Sequence, residues 1–430
     1  MHNRAKFTAL SASAACLALA LSACGSGSTP GGDVDGATGE TDVTLTVATF
    51  NEFGYEDLFT EYEELNDNVT IEHKKAATSN EARDNLTTRL AAGSGLSDIE
   101  AIEVDWLAEL MEFPDQFADL ADPAVEGRWL DWKTEAATTP DGKLIGYGTD
   151  VGPQGVCYRA DLFEEAGLPT DREEVAALLG GTWDSYFEAG RDFVAASDGV
   201  AWFDSAGATY QGMINQVENA YEEEDGTVIA ADNADVKEIY ETVVAASVDD
   251  NLSAHLGQWS DDWTAGFQSD AFATMLCPGW MLGVIEGNAE GVEGWDIANV
   301  FPGGGGNWGG SYLTVPVQGE NQAEAKKLAD WLTAPEQQIK AFNAKGTFPS
   351  QVDALESTDL LGATNEFFNG APTGEILAER ALAVDVTPFK GPKYFPINDA
   401  MQQALTRVDV DQTDDVASSW EKFVTAVNAL

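Results

Sequence analysis

The chain has 430 residues, of which 74 are acidic and 22 basic, and its formal net charge is −52 at neutral pH. So large an acidic excess repels nucleic-acid phosphates and anionic lipid surfaces, which argues against both as partners. The length exceeds that of one ordinary hydrophobic core and predicts two domains.

Residues 1–23 have the pattern of an export signal. A short basic segment precedes an apolar run at 7–21, which matches a signal h-region in length and is short for a membrane span. The run ends in the sequence LSAC at 21–24, which resembles the lipobox of bacterial lipoproteins. The resemblance implies lipidation of Cys24 and attachment to the extracellular face of the cytoplasmic membrane. The alternative is an ordinary secreted protein with an unrelated cysteine.

Residues 24–42 contain mainly Gly, Ser, Thr, Asp and Glu. Such a composition buries too little apolar surface to offset the chain entropy lost on folding. We therefore expect a flexible tether between the membrane anchor and the folded part.

The folded part opens with β-type runs that alternate with helical patterns. The runs are at 43–50, 69–73 and 99–104, and the helical patterns are at 55–66 and 81–92. This alternation predicts a parallel sheet with helical crossovers. Ligands bind beyond the carboxyl ends of the strands in such sheets. Asn51 and Glu52 follow the first run and Asp105 follows the third, so these three are candidates for polar ligand contacts.

Apart from the lipidation candidate Cys24, two cysteines follow the predicted signal peptide, Cys157 and Cys277. An even pair in an exported chain indicates a disulfide. The alternative is two separately buried thiols, because the sequence does not give the distance between their Cα atoms.

Trp259, Trp263 and Phe267 have the i, i+4, i+8 spacing of one helical face. A stripe of this kind favours a place in the hydrophobic core over a place in a binding site.

A glycine-rich segment, FPGGGGNWGGSYLTVP, occupies residues 301–316. Glycines such as Gly309 and Gly310 allow positive φ angles and a close approach of the backbone to a ligand. Trp308, which directly precedes Gly309, could stack on a flat ligand face. The alternative is a turn whose tryptophan packs on the core.

Several segments further resemble elements of one known protein family, in the same order along the chain. They are 155–169 (GVCYRADLFEEAGLP), 267–280 (FQSDAFATMLCPGW), 308–316 (WGGSYLTVP), 346–350 (GTFPS) and 390–396 (KGPKYFP). Together they resemble extracellular solute-binding proteins of family 1, the lipoproteins of ABC sugar importers. The resemblance extends over essentially the whole chain. With NEFGY at 51–55 and WGGS at 308–311, it is closest to actinobacterial cellobiose- and xylobiose-type oligosaccharide-binding proteins.

The resemblance implies a two-lobed α/β fold, the type II fold of periplasmic binding proteins, with discontinuous lobes. The expected N-lobe is 42–152 with 315–365, and the expected C-lobe is 153–314 with 366–430. The chain would cross between the lobes near 150–156 and 311–316. The implied role is a monomeric, non-enzymatic receptor that delivers an oligosaccharide to membrane-embedded permease subunits, with no cofactor and no metal.

A sugar ring presents a C–H face that stacks on aromatic rings and an edge of hydroxyls that needs polar groups. Two sets of candidate ligand-binding residues follow. The aromatic set, which rests on the resemblance, is Trp280, Trp308, Tyr312, Tyr210, Tyr394 and Phe395. The polar and backbone set is Asn51, Glu52, Asp105, Asn307, Gly309, Gly310 and Ser311. Each polar residue could instead satisfy its own backbone as a turn or cap residue.

Two other functions remain open from the sequence. A glycoside-active enzyme would also need a cleft, aromatic residues and a pair of carboxylates. A binding protein for a non-sugar ligand such as a polyamine would use aromatic residues and the abundant acids. The sequence contains no HExxH, no G-x-S-x-G and no Cys/His cluster, and the glycine segment is no Walker A loop because no Lys-Ser or Lys-Thr follows it.

Overall fold

The structure, a computed structural model, describes residues 41–430. The predicted signal peptide, Cys24 and nearly all of the predicted tether lie outside these residues. The strands of the described part are β1 (Val43–Phe50), β2 (Val69–Ala76), β3 (Ile99–Glu103), β4 (Gly146–Gly148), β5 (Asp150–Val151), β6 (Gln154–Arg159), β7 (Ala201–Phe203), β8 (Phe272–Pro278), β9 (Trp295–Ala298), β10 (Ser311–Thr314) and β11 (Phe348–Pro349).

Helices connect and cover these strands. They are α1 (Glu56–Leu65), α2 (Ser79–Ala92), α3 (Val104–Leu110), α4 (Asp131–Ala136), α5 (Ala160–Glu165), α6 (Arg172–Leu179), α7 (Trp183–Ala196), α8 (Ala206–Ile214), α9 (Ala234–Val244), α10 (Asp261–Gly266), α11 (Met281–Asn288), α12 (Gln322–Leu332), α13 (Pro335–Lys345), α14 (Val352–Leu355), α15 (Thr358–Leu361), α16 (Thr373–Leu382), α17 (Tyr394–Asp409) and α18 (Val416–Val427). None of the helices between residues 41 and 430 combines the length and the apolar character that a bilayer crossing requires.

The strands form two open sheets and one short ribbon. The first sheet has the order β2-β1-β3-β10-β4, and the second has the order β7-β8-β6-β9. In the first sheet β1 is parallel to both β2 and β3, as the alternating pattern predicts, whereas β10 is antiparallel to its two neighbours. The ribbon pairs β5 with β11. The predicted α/β fold is confirmed.

The chain crosses between the two sheets more than once. It passes from β4 in the first sheet to β6 in the second, and it returns from β9 to β10. Residues Ser311–Thr314 therefore hydrogen-bond within the first sheet. The division into lobes at 152/153, 314/315 and 365/366 stays a prediction.

Each sheet has its own hydrophobic core. Val47 and Ile99 are fully buried in the cluster around the first sheet. The second sheet is covered on both faces, because alternate side chains of a strand point to opposite faces. Val156 and Tyr158 belong to the cluster on one face of β6, and Cys157 belongs to the cluster on the other.

Cys157 on β6 and Cys277 on β8 are bonded to each other in the structure, with their Cα atoms 5.5 Å apart. Both lie on neighbouring strands of the second sheet. The link spans 120 residues of sequence. A closed loop of this length stabilises a fold by roughly 4–5 kcal/mol in the chain-entropy model.

Candidate functional site

A cavity of about 460 Å³ lies where the carboxyl ends of β1 and β3 face helices α8, α11 and α17. Besides these helices, its walls include residues 50–53, the start of α2, residues 103–105, the loop 257–259 and the glycine segment 308–311. The position agrees with the rule that ligands bind beyond the carboxyl ends of parallel strands. The volume lies within the range of small-molecule binding sites.

Three tryptophans form an aromatic corner in this cavity: Trp259, Trp280 and Trp308. The ring of Trp280 is stacked on that of Trp259, with centroids 6.1 Å apart and planes 23° apart. It is nearly perpendicular to the ring of Trp308, with centroids 5.6 Å apart. The Trp280 Nε1–H donates to the backbone carbonyl of Trp308 at 2.8 Å. The rings of Trp280 and Trp308 therefore cover two adjacent sides of the cavity.

The glycines beside Trp308 are required by the local geometry. Gly309 and Gly310 have φ angles of 81° and 117°, which side chains rarely adopt. A Cβ on Gly310 would lie 2.9 Å from the carbonyl oxygen of Asp150, and a Cβ on Gly309 would lie 3.0 Å from Nε1 of Trp280. Only glycine thus lets this segment approach both β5 and the tryptophan corner.

Ser311 and Asn307 fix the glycine segment rather than facing the cavity freely. Asn307 accepts from the backbone N–H of Gly152 at 2.8 Å and donates to the carbonyl of Gly309 at 2.9 Å. The backbone N–H of Ser311, which lines the cavity, donates to Asp150 Oδ1 at 2.9 Å. Asn307 itself borders a second cavity of about 670 Å³.

The second cavity is larger but chemically simpler. Its lining residues are mainly aliphatic and aromatic, such as Leu107, Met111 and Phe389. The first cavity combines an aromatic corner with carboxylates and amides. A small polar ligand therefore fits the first cavity better.

The predicted carboxylates at the strand ends line the first cavity, but cations already neutralise them. Glu52 is bonded to Lys75, and Asp105 is bonded to Lys390. Glu103, at the same strand end as Asp105, also lines the cavity. Burial raises its pKa well above the usual range, and the nearby negative charge of Asp105 raises it further.

Asn51 offers an acceptor at the end of β1. It adopts a φ of 47°, a conformation that asparagine tolerates. Its Oδ1 is buried without a hydrogen-bond partner among residues 41–430. A buried acceptor left unpaired is costly, so a ligand hydroxyl that donates to it would be favoured.

Three predicted aromatic residues lie outside the cavity. Tyr210 and Tyr394 are buried in the core of the second sheet. There the hydroxyl groups of Tyr210 and Tyr221 share a hydrogen bond of 3.0 Å, and the ring of Tyr221 packs against that of Tyr394. Tyr312 is fully buried under the ammonium of Lys133, 4.0 Å from its ring centroid. Neighbouring elements bury all three side chains away from the cavity, so the geometry does not support contact with a ligand, which stays a prediction.

Helix α17 contributes a polar wall that the sequence analysis missed. Asn398, Asp399 and Gln402 line the cavity together with the predicted Phe395. Their spacing of three and four residues places them on one helical face. Gln211, the neighbour of Tyr210 on α8, also lines the cavity and accepts from Asn398 Nδ2 at 2.9 Å. The recurrence of Asn and Gln on one helical face was the available signal.

Trp259 also departs from the expected core stripe. Helix α10 begins only at Asp261, capped by Ser260, so Trp259 precedes the helix. Trp263 and Phe267 are buried as the spacing predicts, whereas Trp259 is 38% exposed.

The described residues contain no group of three or more potential metal ligands placed to share an ion.

The sequence of the chain is similar to those of known bacterial binding proteins. A sequence model of bacterial extracellular solute-binding proteins matches residues 57–368. The arabinooligosaccharide-binding protein of Bacillus subtilis (strain 168) is 26% identical over 316 residues, which are 69% of this chain and 70% of that protein.

Solved structures agree with the sequence comparisons. An extracellular solute-binding protein of family 1 is 51% identical, with a TM-score of 0.78, over 90% of this chain and 99% of that one. The ABC transporter associated binding protein of B. animalis subsp. lactis Bl-04, solved with β-1,6-galactobiose, has a TM-score of 0.78 at 20% identity, over 90% and 97% of the two chains. The chain belongs to the bacterial extracellular solute-binding protein family.

Proposed function

We propose that this protein is the substrate-binding lipoprotein of an ABC importer and that it binds an oligosaccharide in the cavity bounded by Trp280, Trp308 and helix α17. One observation carries the proposal. An aromatic corner and a row of amides and carboxylates line the same cavity of about 460 Å³. The corner suits the C–H face of a sugar ring, and the amide row suits its hydroxyls.

The relatives support this ligand class. The Bacillus subtilis relative is an arabinooligosaccharide-binding protein. A protein of the same fold is solved with β-1,6-galactobiose. Among oligosaccharides we propose a β-linked, cellobiose- or xylobiose-like ligand, which follows from the NEFGY and WGGS segments noted in the sequence.

The charge arrangement does not favour a polyamine. Two of the cavity carboxylates, Glu52 and Asp105, are already paired with lysines, and burial favours the neutral form of Glu103. At these strand ends a cationic ligand would have to displace lysines, whereas a neutral sugar would not. We propose likewise that the protein binds without chemical turnover.

Delivery and attachment complete the proposal. Ligand would draw the walls of the cavity together, and the closed form would dock on the permease. A diacylglyceryl group on Cys24 would hold the protein to the outer face of the cytoplasmic membrane. In cells supplied with a labelled fatty acid, the wild-type protein should take up the label and Cys24→Ala should not, whereas an unlabelled wild type would contradict lipid attachment there.

Isothermal titration calorimetry tests the ligand class. Xylo-, cello-, malto- and chito-oligosaccharides and spermidine would each be titrated into the purified protein. We expect saturable heat with at least one saccharide series and none with spermidine. Chromatography of the same mixtures should recover the saccharides intact. Cleavage of any of them would indicate an enzyme instead.

A further inference from the structure

The segment 251–259 reaches the cavity in a strained backbone conformation. Asn251, His255 and Trp259 have φ angles of 55°, 57° and 71°. Positive φ is uncommon outside glycine, and for a bulky aromatic residue it persists only where the surroundings enforce it. Some set of contacts must therefore hold the segment in place.

The strained segment contributes directly to the proposed binding site. Gln258 and Trp259 line the cavity, and the ring of Trp259 is stacked on Trp280. Trp259 is one of the few large apolar side chains of the described residues that remain partly exposed. A ring in this position is free to contact a ligand only while the segment keeps its conformation.

Two buried carboxylates hold the segment. Asp409, at the end of α17, accepts from His255 Nδ1 at 2.7 Å and from Ser253 Oγ at 3.2 Å. Asp204, directly after β7, accepts from Gln258 Nε2 at 2.8 Å and from Trp263 Nε1 at 2.9 Å. The contact with His255 involves a residue that changes its charge near neutral pH.

We propose that His255 is a positioning residue, whose ion pair with Asp409 seats Trp259 against the ligand, so that affinity falls as the imidazole loses its proton. The proposal rests on the proposed function and deepens it. His255 itself does not line the cavity, so its effect passes through the segment and through Asp409, which does line it.

The direction of the pH dependence follows from the two partners. The hydrogen bond to Asp409 raises the pKa of His255 above its usual value, while burial acts against this. Burial opposes ionisation of Asp409, but hydrogen bonds from His255 and Ser247 hold its pKa below the usual range. The ion pair is therefore complete below about pH 6.5 and is lost as the pH rises through the raised pKa of His255.

Asp204 also titrates close to this window, and its effect has the opposite sign. Burial raises its pKa to about 6, so this carboxylate completes its ionisation, and strengthens its hold on Gln258, as the pH rises. Asp250 is paired with Arg191, and Arg407 on α17 is paired with Asp414. The charged groups that follow the segment are two carboxylates at the start of α10, Asp261 and Asp262.

The test compares the purified wild-type protein with two variants between about pH 6.5 and 9. His255→Asn keeps a residue that tolerates positive φ and a neutral donor to Asp409, but it removes the titration. His73→Asn is the matched control, because His73 lies on β2 away from the segment. The dissociation constant of the tightest-binding saccharide is measured at each pH.

We expect the dissociation constant of wild type and of His73→Asn to rise by about fivefold across this range, and that of His255→Asn to change by less than about twofold. An unchanged wild-type constant, or a His255→Asn variant that keeps the wild-type slope, overturns the proposal.

A ligand-free measurement separates this inference from the proposed function. The difference in fluorescence between wild type and Trp259→Phe isolates the signal of Trp259. That signal should change over the same pH range in wild type and His73→Asn and stay constant in His255→Asn. A signal of Trp259 that does not vary with pH in wild type overturns the proposal. The wild-type arm of this measurement needs neither a saccharide nor a folded His255→Asn variant, so it can overturn the proposal even where sugar binding fails.

Discussion

The indole Nε1–H of Trp280 donates a hydrogen bond of 2.8 Å to the backbone carbonyl of Trp308. The same stretch is anchored from the other side, since the backbone N–H of Trp308 donates to the carbonyl of Gly152 at 2.8 Å. The bond joins the start of α11 to the glycine segment that enters the first sheet. It therefore fixes the angle between the two rings before any ligand arrives.

Replacing Trp280 should remove most of the affinity. We expect Trp280→Ala to weaken saccharide binding by about 2 kcal/mol or more, roughly thirtyfold, because it removes a central aromatic surface. Trp280→Phe keeps a ring but loses the bond to Trp308, so a smaller loss is expected. Calorimetry measures both, with Trp420→Phe on α18 as the control. Equal affinity of Trp280→Ala and wild type would show that the aromatic corner does not bind the ligand.

The glycine segment should separate close contact from backbone strain. Gly310→Ala combines a positive φ with a contact of 2.9 Å to Asp150, whereas Gly304 has a similar φ of 111° with nothing within 4 Å. We expect Gly310→Ala to cost about 1–3 kcal/mol more than Gly304→Ala in unfolding free energy. Urea denaturation of both variants provides the comparison. If both lose the same stability, the close approach at Gly310 is unimportant.

Buried Lys133 should leave a signature in the pH dependence of stability. Burial lowers its pKa to about 7, while nearby Asp150 and Glu103 act against this. The unfolded chain therefore binds more protons between pH 7 and the usual lysine pKa, so stability rises with pH in this window. The unfolding free energy of wild type minus that of Lys133→Met should therefore become more positive toward high pH, by at most about 1.4 kcal/mol per pH unit.

Lys327→Met, on the exposed face of α12, is the control for that experiment. Its difference from wild type should not vary with pH over the same window. A Lys133→Met difference that is flat from pH 7 to pH 10, or one that shrinks, would refute the assignment.

The disulfide should be detectable by thiol titration. A chain that begins at residue 25 should show no reactive thiols in denaturant and two after reduction, because Cys157 and Cys277 are bonded in the structure. Removing both sulfurs as Cys157→Ala/Cys277→Ala should lower the unfolding free energy by about 2–5 kcal/mol. Two free thiols in the unreduced, denatured protein would show that the pair is open.

Local patterns predicted the strand and helix order, but they could not show which face of a fully buried element meets the cavity. Nearly every residue of α8 is buried, so its periodicity does not distinguish Gln211, which lines the cavity, from Tyr210, which does not. Tyr312 begins an apolar run whose strand is buried on both faces, so its direction was equally undetermined.

Contacts across long sequence distances were also beyond a single sequence. Asp105 was predicted from its place after β3, but its partner Lys390 is 285 residues away. The same holds for His255, which lies in a loop and contacts Asp409 on helix α17. By contrast, local sequence and family resemblance were enough to predict Trp280, Trp308 and the glycines, which line the cavity, although their contact with a ligand stays a prediction.

A crystal structure of the protein with its tightest-binding oligosaccharide tests the central claim most directly. We predict sugar density in the cavity between Trp280, Trp308 and α17, with at least one ring face against an indole and hydroxyls within hydrogen-bond distance of Asn398 or Gln402. Density for the sugar in the second cavity beside Met111 and Phe389, with the tryptophan corner empty, would contradict the account.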